Sequence, residues 1–94
     1  MVKHRLMHYR ILLAKARGAQ DAENLPLARS LMLRAEYERD HLMEKLSHIE
    51  DHRVRAVMSL RYLHGFDWER VADACHYSQR YVMKLHKRGL EEFR

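Results

Sequence analysis

The sequence predicts an all-α protein, with two long N-terminal helices followed by three shorter ones. Apolar residues recur at the three- and four-residue spacing of amphipathic helices. The 94 residues include only three Gly and one Pro, so few positions interrupt a helix. Residues that favour helix N-termini stand just before several of the apolar segments. A chain of this length can bury one small core, so we expect one domain or one domain with an appendage.

Helix one is predicted from Lys3 to about Arg17. Its apolar stripe is formed by Leu6, Met7, Tyr9, Leu12, Leu13 and Ala16. Such a stripe needs a partner helix to bury it. Gly18 and the segment 24–26 mark the predicted break before the next helix.

Helix two is predicted to begin at Pro26, whose missing N–H is not needed in a first turn, and to run to about Ser47. Asn24 or Leu25 lies close to its N-cap position. Two heptad lines form one face: Leu25, Met32, Arg39 and Leu46, beside Ala28, Ala35, Leu42 and Ile49. Fewer than four heptads are short for an isolated coiled coil. We therefore expect a coiled-coil-like antiparallel hairpin with helix one, doubled by homodimerisation.

The predicted domain boundary lies between residues 1–50 and 51–94. Helix three is predicted from Asp51, as its capping residue, to Gly65. It should bury Val54, Val57, Met58 and either Leu60 or Tyr62. Asp67 and Ser78 are the predicted caps of helices four and five.

The window from Trp68 to Lys87 fits a helix-turn-helix, in which two short helices cross steeply around a tight turn. Such a crossing needs small and apolar residues facing inward. The inward positions here are Val71, Ala72, Cys75, Tyr77, Val82 and Leu85. His76 is the predicted turn residue, since His is among the non-glycine residues that adopt positive φ more readily.

Charge varies along the chain, and the excess of basic residues at both ends favours binding of a polyanion there. Residues 1–20 include five basic and no acidic residues. Residues 21–50 include four basic and seven acidic residues, and residues 51–94 include nine basic and six acidic residues. Helix five has no acidic residue between Ser78 and Leu90. Gln79 and Arg80, in its first turn, are of the types that read adenine and guanine in the major groove. Further along the helix, Lys84, Lys87 and Arg88 are predicted to contact phosphates.

The segment from Val57 to Ala72, followed by Tyr77, Ser78 and Val82, resembles region 4 of bacterial sigma factors. More closely, "LRYLHGFDWERVADACHYSQRYVMKLHKRGLEEF" resembles small phage and prophage regulators, the RinA-like and ArpU-like late-transcription activators. The resemblance covers roughly the C-terminal half. It implies a sigma region 4-like helix-turn-helix whose second helix reads promoter DNA through Ser78, Gln79, Arg80 and Tyr81.

The same resemblance implies a transcriptional regulator that binds double-stranded DNA. It is also compatible with a contact between this regulator and RNA polymerase. The chain is too short for the promoter-melting and core-binding regions of a complete sigma factor. Two alternatives stay open. The chain could be an interaction module docking on RNA polymerase or a phage packaging complex, or the DNA-recognition subunit of a terminase.

No sequence feature favours an enzyme, a cofactor or a metal site. Neither a phosphate-binding glycine loop nor a Ser-His-Asp arrangement is present. The histidine pairs His4 with His8 and His48 with His52 have helical spacing but no obvious third ligand. Cys75, the single cysteine, is predicted to be a buried small hydrophobe.

The expected location is the cytoplasm, without membrane insertion. No apolar segment approaches the roughly 18–20 residues of a membrane-spanning helix. The basic N-terminus lacks the apolar core of a secretory signal.

Overall fold

The structure, a computed structural model, describes residues 2–93 and, within that range, the side chains of residues 6–93. The described residues form five α-helices and no strand, which confirms the all-α class. The helices are α1 (Val2–Asp21), α2 (Leu25–Ser47), α3 (His52–Tyr62), α4 (Trp68–Cys75) and α5 (Gln79–Glu92). None of these helices is both long and apolar enough to cross a membrane.

Helices α1 and α2 pack against each other more extensively than any other pair. Only residues 22–24 join them, and His8 on α1 lies 3.6 Å from Glu38 on α2, so the two helices run antiparallel. Around the turn that joins them the buried residues are mainly alanines, which allow close approach: Ala16 and Ala19 on α1, and Ala28 and Ala35 on α2. Of the two predicted cap candidates, Asn24 is the one that caps α2, its side chain accepting a hydrogen bond from the Leu27 backbone N–H.

The predicted end of helix one is wrong, because α1 continues through Gly18 to Asp21. A glycine inside a helix costs about 1 kcal/mol relative to alanine. Here Ala16 and Ala19 on either side of Gly18 are buried, and their packing offsets that cost. The chain reverses only after Asp21, where Glu23 adopts a φ of 60°.

The heptad face of α2 is buried along only one of its two predicted lines. Ala28, Ala35, Leu42 and Ile49 are all buried. Of the second line only Leu46 is buried, whereas Leu25 and Met32 remain 61% and 39% exposed. Leu46, the exception, belongs to the buried cluster that α2 shares with α3, whereas the rest of the second line stays open.

A second packing centre joins α3 to its neighbours. One cluster of buried side chains comprises Leu6, Leu42, Leu46, Ile49, Val54, Val57, Met58, Tyr62, Val71, Ala72, Val82 and Leu85. Because this cluster includes residues of α1 and α2, the core is continuous across residue 50. A division into domains at that position stays a prediction.

The predicted caps of the three C-terminal helices are confirmed. Asp51 accepts a bond from the Arg53 backbone N–H (2.9 Å), Asp67 from that of Arg70 (2.9 Å), and Ser78 from that of Tyr81 (3.1 Å). Each bond satisfies an N–H that has no partner within its own helix.

The turns flanking α4 require left-handed backbone. His76 ends α4 with a φ of 59°, as predicted for the turn residue. Helix α3 ends at Tyr62, three residues before the predicted Gly65, because the chain from Leu63 onward forms a turn in which Gly65 has a φ of 72°.

Helix α5 lies against α3 at a position where only glycine fits. A Cβ atom added to Gly89 would lie 2.5 Å from Met58 Sδ and 2.7 Å from Met58 Cγ. Met58 is fully buried, so its side chain would have to shift within the core to make room. Gly89 therefore sets how closely the two helices approach.

We predict that Gly89→Ala destabilises the protein by about 1–3 kcal/mol, because overpacking outweighs the better helix propensity of alanine. Gly18→Ala is the matched control, since nothing lies within 4 Å of its Cβ position; it should stabilise by about 0.5–1 kcal/mol. Urea denaturation followed by circular dichroism measures both. Equal effects at the two glycines would contradict the Met58 contact.

Candidate nucleic-acid interface

The outward face of α5 is basic. As far as Arg88 its exposed residues are Gln79, Arg80, Met83, Lys84, Lys87 and Arg88, and the exposed Glu91 and Glu92 follow in the last turn. The opposite face is buried through Val82, Leu85, His86 and Gly89. All the side chains predicted to contact phosphate, and the predicted base readers Gln79 and Arg80, are thus on the solvent side of one helix.

A buried polar and aromatic contact fixes the orientation of α5. The Tyr62 hydroxyl on α3 is hydrogen-bonded to His86 Nε2 at 2.6 Å. The Trp68 ring meets the His86 ring edge-on, with 4.5 Å between centroids. Burial raises the pKa of the Tyr62 phenol, against a smaller opposing effect of the Arg61 charge, so Tyr62 keeps its hydroxyl proton. These contacts tie α5 to both α3 and the start of α4.

Trp68 and His64 differ in their exposure. Trp68 is half-buried against the core, with the Arg61 guanidinium 4.7 Å from its ring centroid. His64, in contrast, is exposed, because α3 ends before it and the turn carries it away from the core.

The other two predicted base readers have partners within the protein. The Ser78 hydroxyl caps α5, although it keeps its own hydrogen to donate. Tyr81 is half-buried, its ring packs edge-to-face on Tyr77, and its hydroxyl accepts a hydrogen bond from Arg53 Nη1. Gln79 and Arg80 are the more exposed pair at the start of α5.

A carboxylate of α3 binds two arginines at the edge of this face. Asp51 Oδ2 lies 3.1 Å from Arg53 Nη2 and 3.2 Å from Arg88 Nη2. Asp51 Oδ1 also accepts from Arg53 Nε at 3.2 Å. Sequence reasoning identified Asp51 only as a cap and did not identify Arg53. Arg53 and Tyr81 are 28 residues apart, so no local spacing could have linked them.

The charges of this cluster stabilise one another. Hydrogen bonds from Arg53 lower the pKa of Asp51 from 3.8 to about 2, against an opposing contribution from desolvation. The Asp51 carboxylate in turn raises the pKa of Arg53. Both groups are therefore ionised throughout the physiological pH range.

Among the side chains that the structure describes, no three His, Cys, Asp or Glu residues come together as metal ligands. His48 contacts Glu44 at 3.2 Å and His52 contacts Arg55 at 3.1 Å. The His4 side chain lies outside the described part of the chain.

Cys75 is half-buried and packs against the core, in line with the predicted hydrophobic role. Burial raises the pKa of its thiol. The thiolate, which is the nucleophilic form, is therefore disfavoured.

No protein-family model, curated protein or solved structure matches this chain. The resemblance to sigma region 4 therefore rests on the residues of the C-terminal half alone.

We predict that Asp51→Asn lowers the melting temperature at pH 5 and that this difference shrinks as pH falls toward 2. A carboxylate whose pKa is lowered by folding stabilises the native state above its unfolded pKa, and this contribution disappears as the folded pKa is reached. Asparagine retains the capping function, so the variant mainly removes charge.

Asp67→Asn is the control, because Asp67 caps α4 through the Arg70 backbone N–H in the same way. Among the described residues its carboxylate makes no bond to an arginine side chain, so this variant separates loss of an N-cap charge from loss of the two ion pairs. An Asp51→Asn difference that stays constant from pH 5 to pH 2 would contradict the role of the ion pairs.

Proposed function

We propose that this chain is a sequence-specific double-stranded DNA-binding transcriptional regulator of phage or prophage type, which reads the major groove with α5. The observation that carries this proposal is the exposed basic face of α5. Arg80, Lys84, Lys87 and Arg88 lie along it without an intervening carboxylate. A protein surface that neutralises several phosphates binds DNA with an affinity that falls steeply with salt.

The arrangement of α4 and α5 supports a helix-turn-helix function. Only residues 76–78 connect the two helices, which pack on each other through a shared core. The 14 residues of α5 form a helix about 21 Å long, and the major groove is wide enough to admit it. In such motifs the N-terminal residues contact base edges, which assigns base reading to Gln79 and Arg80 and phosphate contact to Lys84, Lys87 and Arg88.

In this proposal α1 and α2 form a helical hairpin that precedes a sigma region 4-like domain of α3 to α5. The regulator acts as a cytoplasmic homodimer without catalytic activity or cofactor. Two-fold symmetry would place the reading helices about 34 Å apart, one turn of DNA, on a palindromic site. RNA polymerase is a further proposed partner, as the family resemblance implies.

The second candidate function is that of a protein-interaction module. It is favoured by the large apolar side chains that α2 leaves exposed: Leu25, Leu27, Met32, Leu33, Tyr37 and Met43. Leu25, Met32 and Met43 fall on one side of α2 at helical spacing, and exposed apolar surface on a small protein often marks a contact with another protein. In this alternative α2 docks on RNA polymerase or a packaging complex, and α5 does not bind free DNA.

We predict that wild-type protein enriches a consensus site from a random duplex library and prefers it to a scrambled duplex. Arg80→Ala should reduce that preference by about 5- to 150-fold, because one bidentate base contact contributes about 1–3 kcal/mol of discrimination. Fluorescence anisotropy across a salt series measures both affinities.

Arg34→Ala is the control for this experiment, since it removes the same charge from the exposed surface of α2; it should leave the preference unchanged. A lack of duplex binding by the wild type even at low salt would refute the DNA-binding proposal and favour the interaction module. Light scattering of the wild type would separate a dimer from the ring expected of a terminase subunit.

A further inference from the structure

We propose that Arg53 and Arg88, held together by Asp51, form a joint binding site for one DNA backbone phosphate. This inference rests on the proposed DNA-binding function and extends the phosphate-contacting surface from α5 onto the N-terminus of α3. Neither the position of Arg53 in the sequence nor the resemblance to sigma factors assigns it this role.

The geometry of the two guanidinium groups supports a shared anionic ligand. Arg53 Nη2 and Arg88 Nη2 contact the same oxygen atom, Asp51 Oδ2, at 3.1 and 3.2 Å. The two nitrogen atoms are thus no further apart than twice a hydrogen-bond length. Arginine side chains are about half exposed at both positions. A phosphodiester offers two anionic oxygens, and guanidinium groups bind such oxygens with directed, charge-assisted hydrogen bonds.

Tyr81 supplies a third donor at this site. Its hydroxyl oxygen accepts a hydrogen bond from Arg53 Nη1, which leaves the hydroxyl hydrogen to be donated. The Tyr77 ring packed against the Tyr81 ring holds it in place. Tyr81 would then contact the DNA backbone rather than a base, and its neighbour Arg80 would remain the base reader.

Asp51 makes the pair possible without neutralising it. Two adjacent guanidinium groups repel each other, and the carboxylate between them offsets that repulsion in the absence of DNA. The three side chains together retain one positive charge, so the cluster still attracts a phosphate. The site also lies at the edge of the face formed by Arg80, Lys84 and Lys87. If α5 lies in the major groove, the DNA phosphate backbone runs along this edge.

The test compares Arg53→Gln with Arg53→Lys, two changes that keep a hydrogen-bond donor and differ in charge. Arg53→Gln should weaken binding to the selected and scrambled duplexes by the same factor, about 3- to 10-fold. It should also lower the slope of log affinity against log salt by about one. Arg53→Lys should retain the wild-type slope, and Arg88→Gln should reproduce the effect of Arg53→Gln.

Arg34→Gln is the matched control, because it removes one exposed charge from α2. If Arg53→Gln behaves like Arg34→Gln while Arg80→Ala still reduces sequence preference, the joint site is refuted and the proposed function stands. If Arg53→Lys also lowers the slope of log affinity against log salt, although it keeps the charge, Arg53 acts by supporting Tyr81. The joint site is then again refuted. Failure of the wild type to bind any duplex would instead refute the proposed function. Circular dichroism establishes that each variant is folded.

Discussion

The contact between Met58 and Gly89 determines where the basic face of α5 lies. Helix α5 can approach α3 closely only because position 89 lacks a side chain where the buried Met58 lies. One turn earlier, the hydrogen bond between Tyr62 and His86 fixes the rotation of α5 about its axis. With His86 and Gly89 turned inward, the helical repeat of 3.6 residues turns Arg80, Lys84 and Lys87 outward. The surface that we propose to bind DNA is therefore determined by packing on the opposite side of the helix.

Features that depend on nearby residues could be predicted from the sequence, and features that depend on distant ones could not. The caps Asp51, Asp67 and Ser78 each bind a backbone N–H two or three residues away, so their residue types sufficed. The left-handed turn at His76 is local in the same sense. Gly18, however, looked like a helix end, and only the burial of its neighbours against α2 explains why α1 continues.

The same distinction applies to the candidate site. The sequence predicted Val82 and Leu85 as inward positions, and the helical repeat then places Arg80 and Lys84 on the opposite, exposed face of α5. The contact between Arg53 and Tyr81 depends on how α3 packs on α5, which periodicity within either helix does not specify. Similarly, the heptad lines of α2 predicted two buried rows, yet the number of neighbouring helices decides how many rows are buried. Leu46 is buried where α2 also meets α3, whereas Leu25 and Met32 stay exposed.

Continuity of the core links the exposed apolar surface of α2 to the position of α5. Leu6 and Leu46 belong to the same buried cluster as Val54 and Leu85, so packed side chains, as well as the short segment 48–51, hold α2 relative to the C-terminal helices. In a homodimer formed through α2, the distance between the two α5 helices would then be set by core packing. Because the spacing of DNA half-sites mirrors that distance, residues at the α2 surface would influence which sites the protein recognises without touching DNA.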